Sequence, residues 1–458
     1  MSDKTPDDES NRLGRRVRRY AQVGAGVGGL AAKVAGRRMF GLTPDNDKTA
    51  RELKVALGGL KGPIMKVAQM LATVPDVVPP EFAAELSELQ SAAPAMGWPF
   101  VKRRMRAELG AGWESRFKSF EHEAAAAASL GQVHRATALD GRKLAAKLQY
   151  PDMQSAVDAD LNQLGLIFSI HRRLDRTIDT REIYAEIRAR LVEELDYARE
   201  AAHTRLYADI FAKEGRIAVP DVVEELSTKR LLTMTWLDGQ PLLSFRDRSL
   251  KERNAIAEAM FMAWWYPFSH YGVIHGDPHL GNYTVRETPD ENGFGINLLD
   301  YGCIRIFPAA FVEGVVELYR ALETEDRDRA AAAYKRWGFT KLTNELIDVL
   351  NVWAGFIYAP MLDNRVRSIA DGISPAEYGR KEAFQVHQAL GKLGPVTPPR
   401  EFVFMDRAAI GLGGVFLHLG AELNFHRLFN ETIEGFDAAK LAQRQARALK
   451  KAGVPKPE

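Results

Sequence analysis

Three polar side chains past the middle of the chain have the types and spacing of a phosphoryl-transfer site. Asp277 and Asn282 lie five positions apart in the segment His-Gly-Asp-Pro-His-Leu-Gly-Asn (275–282), and Asp300 follows in Leu-Leu-Asp-Tyr-Gly (298–302). An Asp and an Asn on one tight loop can face a transferred phosphoryl group and a metal ion. Carboxylate and amide oxygens are the ligands that Mg²⁺ prefers. We therefore predict Asp277 as a catalytic residue, and Asn282 and Asp300 as magnesium ligands.

Short apolar runs predict the strands that would position these residues. The runs 272–274, 283–286 and 295–299 alternate with the two polar segments. Gly302 allows the backbone to turn sharply behind Asp300. Each polar segment alone is also consistent with an ordinary turn. Their order along alternating strand-like runs favours a kinase-like active site.

The two histidines of the same loop suit a structural role better than a catalytic one. His275 is predicted to brace the loop rather than to carry protons, and His279 is predicted to face solvent or a nucleotide. Zinc sites rarely rest on two loop histidines without further ligands nearby. We therefore expect no metal site on this pair.

A second set of residues upstream predicts the phosphate-contacting half of such a site. The run Lys-Leu-Ala-Ala-Lys-Leu-Gln (143–149) predicts a strand whose inner Lys147 can pair with phosphates. Asp140-Gly connects it to the strand-like run 132–137, which is a strong hairpin signal. Before the hairpin lies Ala-Ala-Ala-Ala-Ala-Ser-Leu-Gly (124–131). Propensity favours a helix there, whereas its position relative to Lys147 favours a loop that covers a nucleotide.

Nucleotide contacts are predicted in that loop and at a hinge. Serine and glycine in the loop could supply hydroxyl and backbone N–H groups, while the segment Thr-Trp-Leu-Asp-Gly (235–239) would offer backbone groups to an adenine. The predicted contacts are Ala127, Ala128, Ser129, Gly131, Lys147, Trp236 and Leu237. Because Ala lacks the positive-φ freedom of Gly, the loop is expected to hold a nucleotide unproductively.

The ordered set of motifs resembles the AarF/UbiB-type atypical kinases over roughly residues 12–430. That family has an alanine-rich loop in place of a glycine-rich one, a Lys-x-Gly-Gln motif, matched by Lys-Val-Ala-Gln (66–69), and a Glu-x-Asp motif, matched by 194–196. The resemblance implies an α+β, bilobal protein-kinase-like fold with a small β-containing N-lobe, a mainly helical C-lobe and a helical N-terminal extension. It also implies ATP and Mg²⁺ as cofactors.

The resemblance implies roles for several further charged residues. It makes Glu200 the catalytic partner of Lys147, and it makes Glu194 the partner of an extension lysine that folds over the site where peptides dock. Poor activity on protein substrates follows. The regulatory residues would be Lys66, Gln69, Glu194 and Asp196. From the residues alone, positions three apart project together on a helix, and the acidic face of a predicted helix 182–207 could equally be solvated.

The sequence departs from the family pattern in four motifs. Ala68 stands at a motif Gly, and its extra methyl group could alter how this helix packs on the active site. Tyr301 replaces Phe in the metal motif, two alanines precede Lys147, and Thr235 stands where the family usually has an acidic residue. Only the first change bears on the behaviour expected from the family.

Composition is consistent with a multidomain globular chain. With 458 residues and 46% hydrophobic content, two to three domains can be built. The net charge of +2 gives no general case for nucleic-acid binding, and the single cysteine excludes an internal disulfide. That cysteine, Cys303, is predicted to be packed rather than reactive. The predicted divisions are a leader (1–45), the extension (46–115), the N-lobe and hinge (116–239), the C-lobe (240–436) and a basic tail (437–458).

The two ends of the chain suggest surface contacts. Five arginines precede Gly24-x-x-x-Gly28, a small-residue face that would permit homodimer contact or lie on an anionic membrane; a flexible basic tail is the alternative. No segment is predicted to span a bilayer, and a cytoplasmic, peripheral membrane location is expected. The helix expected at 438–452 is predicted to be solvated.

Three functions remain open from the sequence. The resemblance implies an ATPase, or a small-molecule or lipid kinase, that supports isoprenoid-quinone synthesis, with quinone precursors as partners at a membrane surface. A phosphotransferase of the aminoglycoside or choline type shares the 275–282 loop, but the 66–69 and 194–196 motifs argue against it. A non-enzymatic nucleotide-binding scaffold would not need the retained Lys147 and Asp277.

Overall fold

The computed structural model describes residues 96–457, except 129, 152, 156, 159–160, 162–164, 166–179, 290–292, 340–341, 371–384, 387 and 390–399. The strands are β1 (Phe117–Ala128), β2 (Gly131–Ala138), β3 (Lys143–Gln149), β4 (Ile217–Ala218), β5 (Leu231–Thr235), β6 (Val273–His275), β7 (Tyr283–Glu287), β8 (Phe294–Leu298) and β9 (Ile304–Ile306). The helices are α1 (Trp98–Leu109), α2 (Thr180–Glu193), α3 (Tyr197–Ile210), α4 (Leu250–Tyr271), α5 (Ala309–Glu323), α6 (Arg327–Arg336), α7 (Asn344–Leu362), α8 (Arg400–Leu419), α9 (Phe425–Ile433) and α10 (Ala438–Ala452).

The chain folds into two compact units. The first comprises the described residues before 176 together with Thr180–Ala198 and Val223–Trp236, and the second comprises Arg199–Val222 and the residues from Leu237 onward. Strands dominate the first unit and helices the second. This mixture confirms the predicted α+β, kinase-like fold.

The first unit is built on an antiparallel sheet with the strand order β1-β2-β3-β5. Leu144, Ala146 and Leu148 of β3 alternate along the strand and belong to a core that includes Met105 of α1. Because successive side chains of a strand point to opposite faces, Lys147 projects from the other face of the sheet. The predicted hairpin of β2 and β3 is confirmed, with Thr137 opposite Lys143.

The second unit is organised around α4. The helix begins with a reciprocal capping box between Ser249 and Glu252 and ends at Gly272, whose φ of 65° is the left-handed conformation that glycine adopts without strain. The chain then enters β6 directly. Trp264 of α4 is fully buried and donates from its indole nitrogen to the carbonyl oxygen of His275, at 2.9 Å. The largely helical core of the second unit thus fixes the start of the predicted catalytic loop.

Helix α10 corrects one sequence prediction. Its exposed positions are rich in Lys and Arg, as expected, but Leu441, Gln445 and Leu449 are buried. The side-chain amide of Gln445 donates to the carbonyl oxygens of Tyr271 and Phe307, each at 2.8 Å. The helix is therefore part of the core and is not fully solvated, because its apolar stripe covers the end of α4.

Helix α7 has the length and hydropathy of a membrane span, although no span was predicted. Its 18-residue window has a mean hydropathy of 1.2. A core helix of a globular protein meets the same criteria. Leu350 and Trp353 are buried, and the buried Tyr358 donates its hydroxyl to the carbonyl oxygen of Val315 at 2.9 Å. Part of the apolar surface of this helix is therefore packed in the core, with 39% of the window buried.

Candidate active site

His275 joins the two polar motifs that the sequence singled out. Its Nδ1 accepts a hydrogen bond from the backbone N–H of Asp277 at 3.1 Å. Nε2 therefore carries the hydrogen and donates to the carbonyl oxygen of Asp300 at 2.8 Å. The side chain is fully buried. Both ring nitrogens thus serve the backbone, which confirms the bracing role predicted for His275.

Two strand pairings place the predicted catalytic loop beside the turn at 300–302. Strands β6 and β9 are antiparallel, with His275 opposite Ile304, and β7 and β8 are antiparallel, with Tyr283 opposite Leu298. The pairing continues past the strand ends, because the N–H of Leu299 donates to the carbonyl oxygen of Asn282 at 2.9 Å. Loop and turn are therefore held on both sides by backbone hydrogen bonds.

Asn282 is tied directly to Asp277. Its side-chain nitrogen donates to the backbone oxygen of Asp277 at 3.0 Å and to carboxylate Oδ2 at 3.2 Å. Both residues are half-buried. The pKa of Tyr283 is strongly raised, first by burial and then by the nearby Asp277 carboxylate. With its nitrogen committed to Asp277, the amide directs its oxygen away from that residue.

The turn that carries Asp300 is closed by its own side chain. Oδ1 of Asp300 accepts a hydrogen bond from the N–H of Gly302 at 3.0 Å, and the N–H of Tyr301 donates to Oε1 of Glu200 at 3.4 Å. Glu200, predicted as a catalytic residue, thus contacts the metal motif. Lys147 belongs to the other unit. Their pairing stays a prediction.

The donor set of this cluster fits Mg²⁺. Asn282 and Asp300 would supply an amide and a carboxylate oxygen, which are hard ligands. Among the described residues, no group of three or more His, Cys, Asp or Glu side chains is spaced for a metal ion. Magnesium in nucleotide sites usually takes one or two protein ligands together with phosphates and waters. A group of three protein ligands is therefore not required. A zinc-like centre has no support in the described part of the chain.

Lys147 occupies the middle of the four-stranded sheet. It pairs with Val133 on β2 and with Leu232 on β5. Its side chain is largely buried, and the ammonium lies 5.3 Å from the ring centroid of Tyr197. An aromatic face stabilises a partly desolvated cation. Tyr197 thus places an aromatic face against the ammonium group of this lysine.

The alanine-rich segment forms the tip of a hairpin. Ala124–Ala128 belong to β1, and Ala128 pairs with Gly131 at the start of β2. A helix, which propensity favoured, does not form, because the run is paired along its length with β2. Ala127 is exposed and Ala128 is half-buried. Ser129 lies outside the described residues, and a nucleotide-covering role for this tip stays a prediction.

Gly131 is enclosed by backbone. A Cβ at this position would collide with the carbonyl oxygen of Leu148 and lie 2.8 Å from Oη of Tyr197. The carbonyl oxygen of Leu148 cannot move without shifting β3. The close contact of β2 with β3 at the hairpin therefore requires glycine.

We expect Gly131→Ala to lower the free energy of unfolding by about 1–3 kcal/mol, because the added methyl group overpacks a backbone contact. Urea unfolding of the full chain measures the change. Gly112→Ala is the matched control, since its Cβ would meet no atom closer than Ser115 Oγ at 3.9 Å. Equal stability of the two variants would contradict the close packing at Gly131.

The predicted hinge coincides with the passage between the two units. Trp236 is the last residue of the first unit and Leu237 begins the next stretch of the second. The N–H of Trp236 donates to the carbonyl oxygen of Lys143 at 2.9 Å, and the guanidinium of Arg135 lies 4.5 Å from its ring centroid. Trp236 is thus held to the edge of β3. Its contact with an adenine stays a prediction.

The predicted single helix 182–207 is wrong, because a turn at Glu194–Asp196 separates α2 from α3. The carbonyl oxygen of Leu195 accepts from the side-chain amide of Gln149 at 3.0 Å, and Asp196 Oδ1 accepts from the N–H of Ala198 at 3.0 Å. Asp196 therefore caps the N-terminus of α3. An Asp followed by Glu in the first helical turn is the signal that sequence reasoning overlooked.

Two supporting residues were missed in the sequence. Trp264 holds the carbonyl oxygen of His275, as described above. Asn297, fully buried in β8, donates to the carbonyl oxygen of Asp238 and to Thr284 Oγ1, each at 3.0 Å. It ties the segment after the hinge to the sheet that carries the metal motif. A single polar residue inside the apolar run of β8 was the available signal.

Several predicted residues lie outside the described residues. They are Lys66, Ala68, Gln69, the Gly24–Gly28 segment and Ser129. The regulatory role of the 66–69 motif and the predicted homodimer contact therefore stay predictions. Cys303 is described: it is buried, with Sγ 3.5 Å from Nη2 of Arg305, as expected for a packed side chain.

The architecture and the cluster define a protein of the kinase-like class. A four-stranded sheet carries an inner lysine, and a helical unit carries the Asp-Asn loop and the Asp-Tyr-Gly turn. Residues 88–334 match the ABC1 atypical kinase-like domain, which is more than half of the chain. The chain belongs to this family, and the resemblance to AarF-type kinases is confirmed.

Relatives with similar sequences carry kinase names. The chain is 31% identical to AarF domain-containing protein kinase 1 of Xenopus laevis over 62% of its own length and 55% of that protein. It is 26% identical to the mitochondrial atypical kinase COQ8 of Saccharomyces cerevisiae, over 91% of this chain and 84% of that protein. The chain therefore spans little more than half of the frog relative.

A solved structure is also similar. It is a Mycobacterium tuberculosis protein in complex with erythromycin, 26% identical in sequence, with a TM-score of 0.57. The similarity covers 85% of this chain and 96% of that protein. The similarity to that solved structure thus covers most of this chain.

Proposed function

We propose that this protein is an atypical kinase or ATPase that binds Mg²⁺–ATP and supports isoprenoid-quinone synthesis at a membrane surface. The observation that carries the proposal is the hydrogen-bonded cluster in which His275 links Asp277 to Asp300 while Asn282 bonds to Asp277. The quinone role follows from the family. A cytoplasmic location stays a prediction, since the yeast relative is named as mitochondrial.

Each side chain of the cluster has a distinct task in this proposal. Asn282 and Asp300 hold the metal ion, which when bound neutralises negative charge on the phosphates. Asp277 orients the attacking hydroxyl group or water and accepts its proton. His275 keeps the two motifs in register. A contact of Lys147 with the phosphates, which the family resemblance implies, stays a prediction.

The test uses the full-length chain. Thermal unfolding is followed with ATP or ADP, with Mg²⁺ or EDTA, and ATP hydrolysis is measured with and without anionic vesicles and phenol-like quinone precursors. We expect a magnesium-dependent stabilisation by nucleotide, and faster hydrolysis when vesicles and a phenol are present. Absence of any nucleotide-dependent stabilisation would refute nucleotide binding. Hydrolysis that neither vesicles nor the phenol changes would refute the proposed role in quinone synthesis at a membrane surface.

One further ligand class enters the same measurement. The solved relative from Mycobacterium tuberculosis forms a complex with erythromycin. Erythromycin is therefore added alone and together with Mg²⁺–ATP. Stabilisation by the macrolide in the absence of nucleotide would favour a macrolide-binding function instead of a role in quinone synthesis.

A further inference from the structure

One face of α3 contacts both backbone polar groups of Tyr301, its N–H and its carbonyl oxygen. Oε1 of Glu200 accepts from the N–H of Tyr301 at 3.4 Å, and Nδ1 of His203 lies 3.2 Å from its carbonyl oxygen. One helical turn further, the ring of Tyr207 meets the ring of Tyr301 edge-on, with centroids 5.4 Å apart. Positions 200, 203 and 207 share a helix face, so a single stripe of α3 grips one residue.

The residues of this contact are buried. Tyr301, His203 and Tyr207 are at most 1% exposed, and Glu200 is 3% exposed. A carbonyl oxygen can only accept, so Nδ1 of His203 must carry the hydrogen and donate it. A buried carbonyl that loses its donor costs about 1–3 kcal/mol. The backbone at Tyr301 would therefore turn to find another donor if His203 could not supply one.

Any such turn would move the N–H of Gly302, because the carbonyl group of Tyr301 and the N–H of Gly302 belong to one planar peptide group. The carbonyl oxygen of Asp300 is held by His275 at 2.8 Å, and its Oδ1 by the N–H of Gly302 at 3.0 Å. The backbone on both sides of the predicted metal carboxylate is thus tied to buried side chains. His203 holds the carbonyl oxygen of Tyr301, which His275 does not contact.

We propose that His203 is a positioning residue that sets the direction of the Asp300 carboxylate through the backbone of Tyr301. The inference rests on the proposed function, since it assigns Asp300 to magnesium. It adds a role for α3 that no sequence motif indicates. His203 offers a cleaner test than Glu200, because Glu200 is itself predicted to act in catalysis.

Two substitutions separate the hydrogen bond from the packing. His203→Phe keeps a planar ring but has no donor, whereas His203→Asn places an amide N–H at the same distance from the backbone as Nδ1–H. Magnesium is titrated at a fixed ATP concentration, and nucleotide binding is followed by thermal shift. We expect His203→Phe to raise the half-saturating magnesium concentration about 10–100-fold, as for other residues that orient a metal ligand. His203→Asn should restore most of the affinity.

Nucleotide binding in EDTA should be the same in both variants and in the wild type. Tyr207→Phe is the packing control. Among the described residues, none bonds to the Tyr207 hydroxyl, so this variant should leave the magnesium titration unchanged. If His203→Phe does not fold, His203→Gln, whose amide sits one methylene further out, takes its place with the same expectation.

The outcomes distinguish the inference from the proposed function. A wild-type protein that shows no magnesium-dependent nucleotide binding overturns both. Normal binding by the wild type with an unshifted magnesium titration for His203→Phe overturns the inference alone. A loss of nucleotide affinity that is equal in EDTA and in magnesium also overturns it, because His203 would then support the fold in general and not the metal carboxylate.

Discussion

Asp300→Asn is expected to abolish magnesium-dependent nucleotide binding. The substitution removes the negative charge of a predicted metal ligand, while an amide oxygen can still accept from the N–H of Gly302 and keep the turn closed. Loss of a residue that merely orients a ligand costs 10–100-fold in metal affinity, so loss of the ligand charge itself should cost more than about 100-fold. Magnesium titration of the nucleotide-induced thermal shift measures it.

The control is Asp348→Asn, which makes the same chemical change at an exposed carboxylate paired with Arg327. It should leave the magnesium titration unchanged. The free energy of unfolding of Asp300→Asn without ligand should stay within roughly 1 kcal/mol of the wild type, since no core contact is removed. A wild-type magnesium titration for Asp300→Asn would show that Asp300 is not a metal ligand.

Asp277→Asn is expected to separate turnover from binding. An amide oxygen in place of Oδ2 can still accept from Asn282, and the backbone N–H that bonds to His275 is untouched. The loop should therefore keep its shape and bind Mg²⁺–nucleotide as before. Loss of a group that accepts a proton in the reaction lowers turnover about 10²–10⁴-fold, which ADP release measures directly.

Asp348→Asn again serves as the charge-matched control. Should Asp277→Asn turn over at the wild-type rate, the loop would hold no catalytic base, and Asp277 would be a structural partner of Asn282 only. Should it lose nucleotide binding as well, the carboxylate would belong to the binding site. These two results lead to different assignments for the loop.

The spacing of the polar residues in sequence was enough to predict which of them assemble in the second unit. Short apolar runs flank these residues; the two runs between Asn282 and Asp300 form strands that pair with each other, whereas the run before Asp277 pairs with the more distant β9. The hairpin of β7 and β8 is a local structure of this kind. The same holds for the hairpin around Asp140-Gly in the first unit.

Contacts between distant segments were not predictable in the same way. The break at Glu194–Asp196 contains no Gly or Pro, and its stability comes in part from Gln149, 46 positions before Leu195. The apolar stripe of α10 was visible in sequence, yet the surface it covers lies on α4. Periodicity shows that a face is apolar, but not what will bury it.

The sequence by itself determined which possible ligand side chains stand on the loop and the turn, because residue types and their spacing along a loop are local properties that the chain carries into any fold. The tertiary structure alone decided which hydrogen bonds orient those side chains. His203 and Tyr301 are 98 positions apart, and His275 and Asp300 are 25 apart. Those hydrogen bonds form only where α3, the catalytic loop and the metal motif are packed together, since a buried carbonyl takes whichever donor the completed core places beside it.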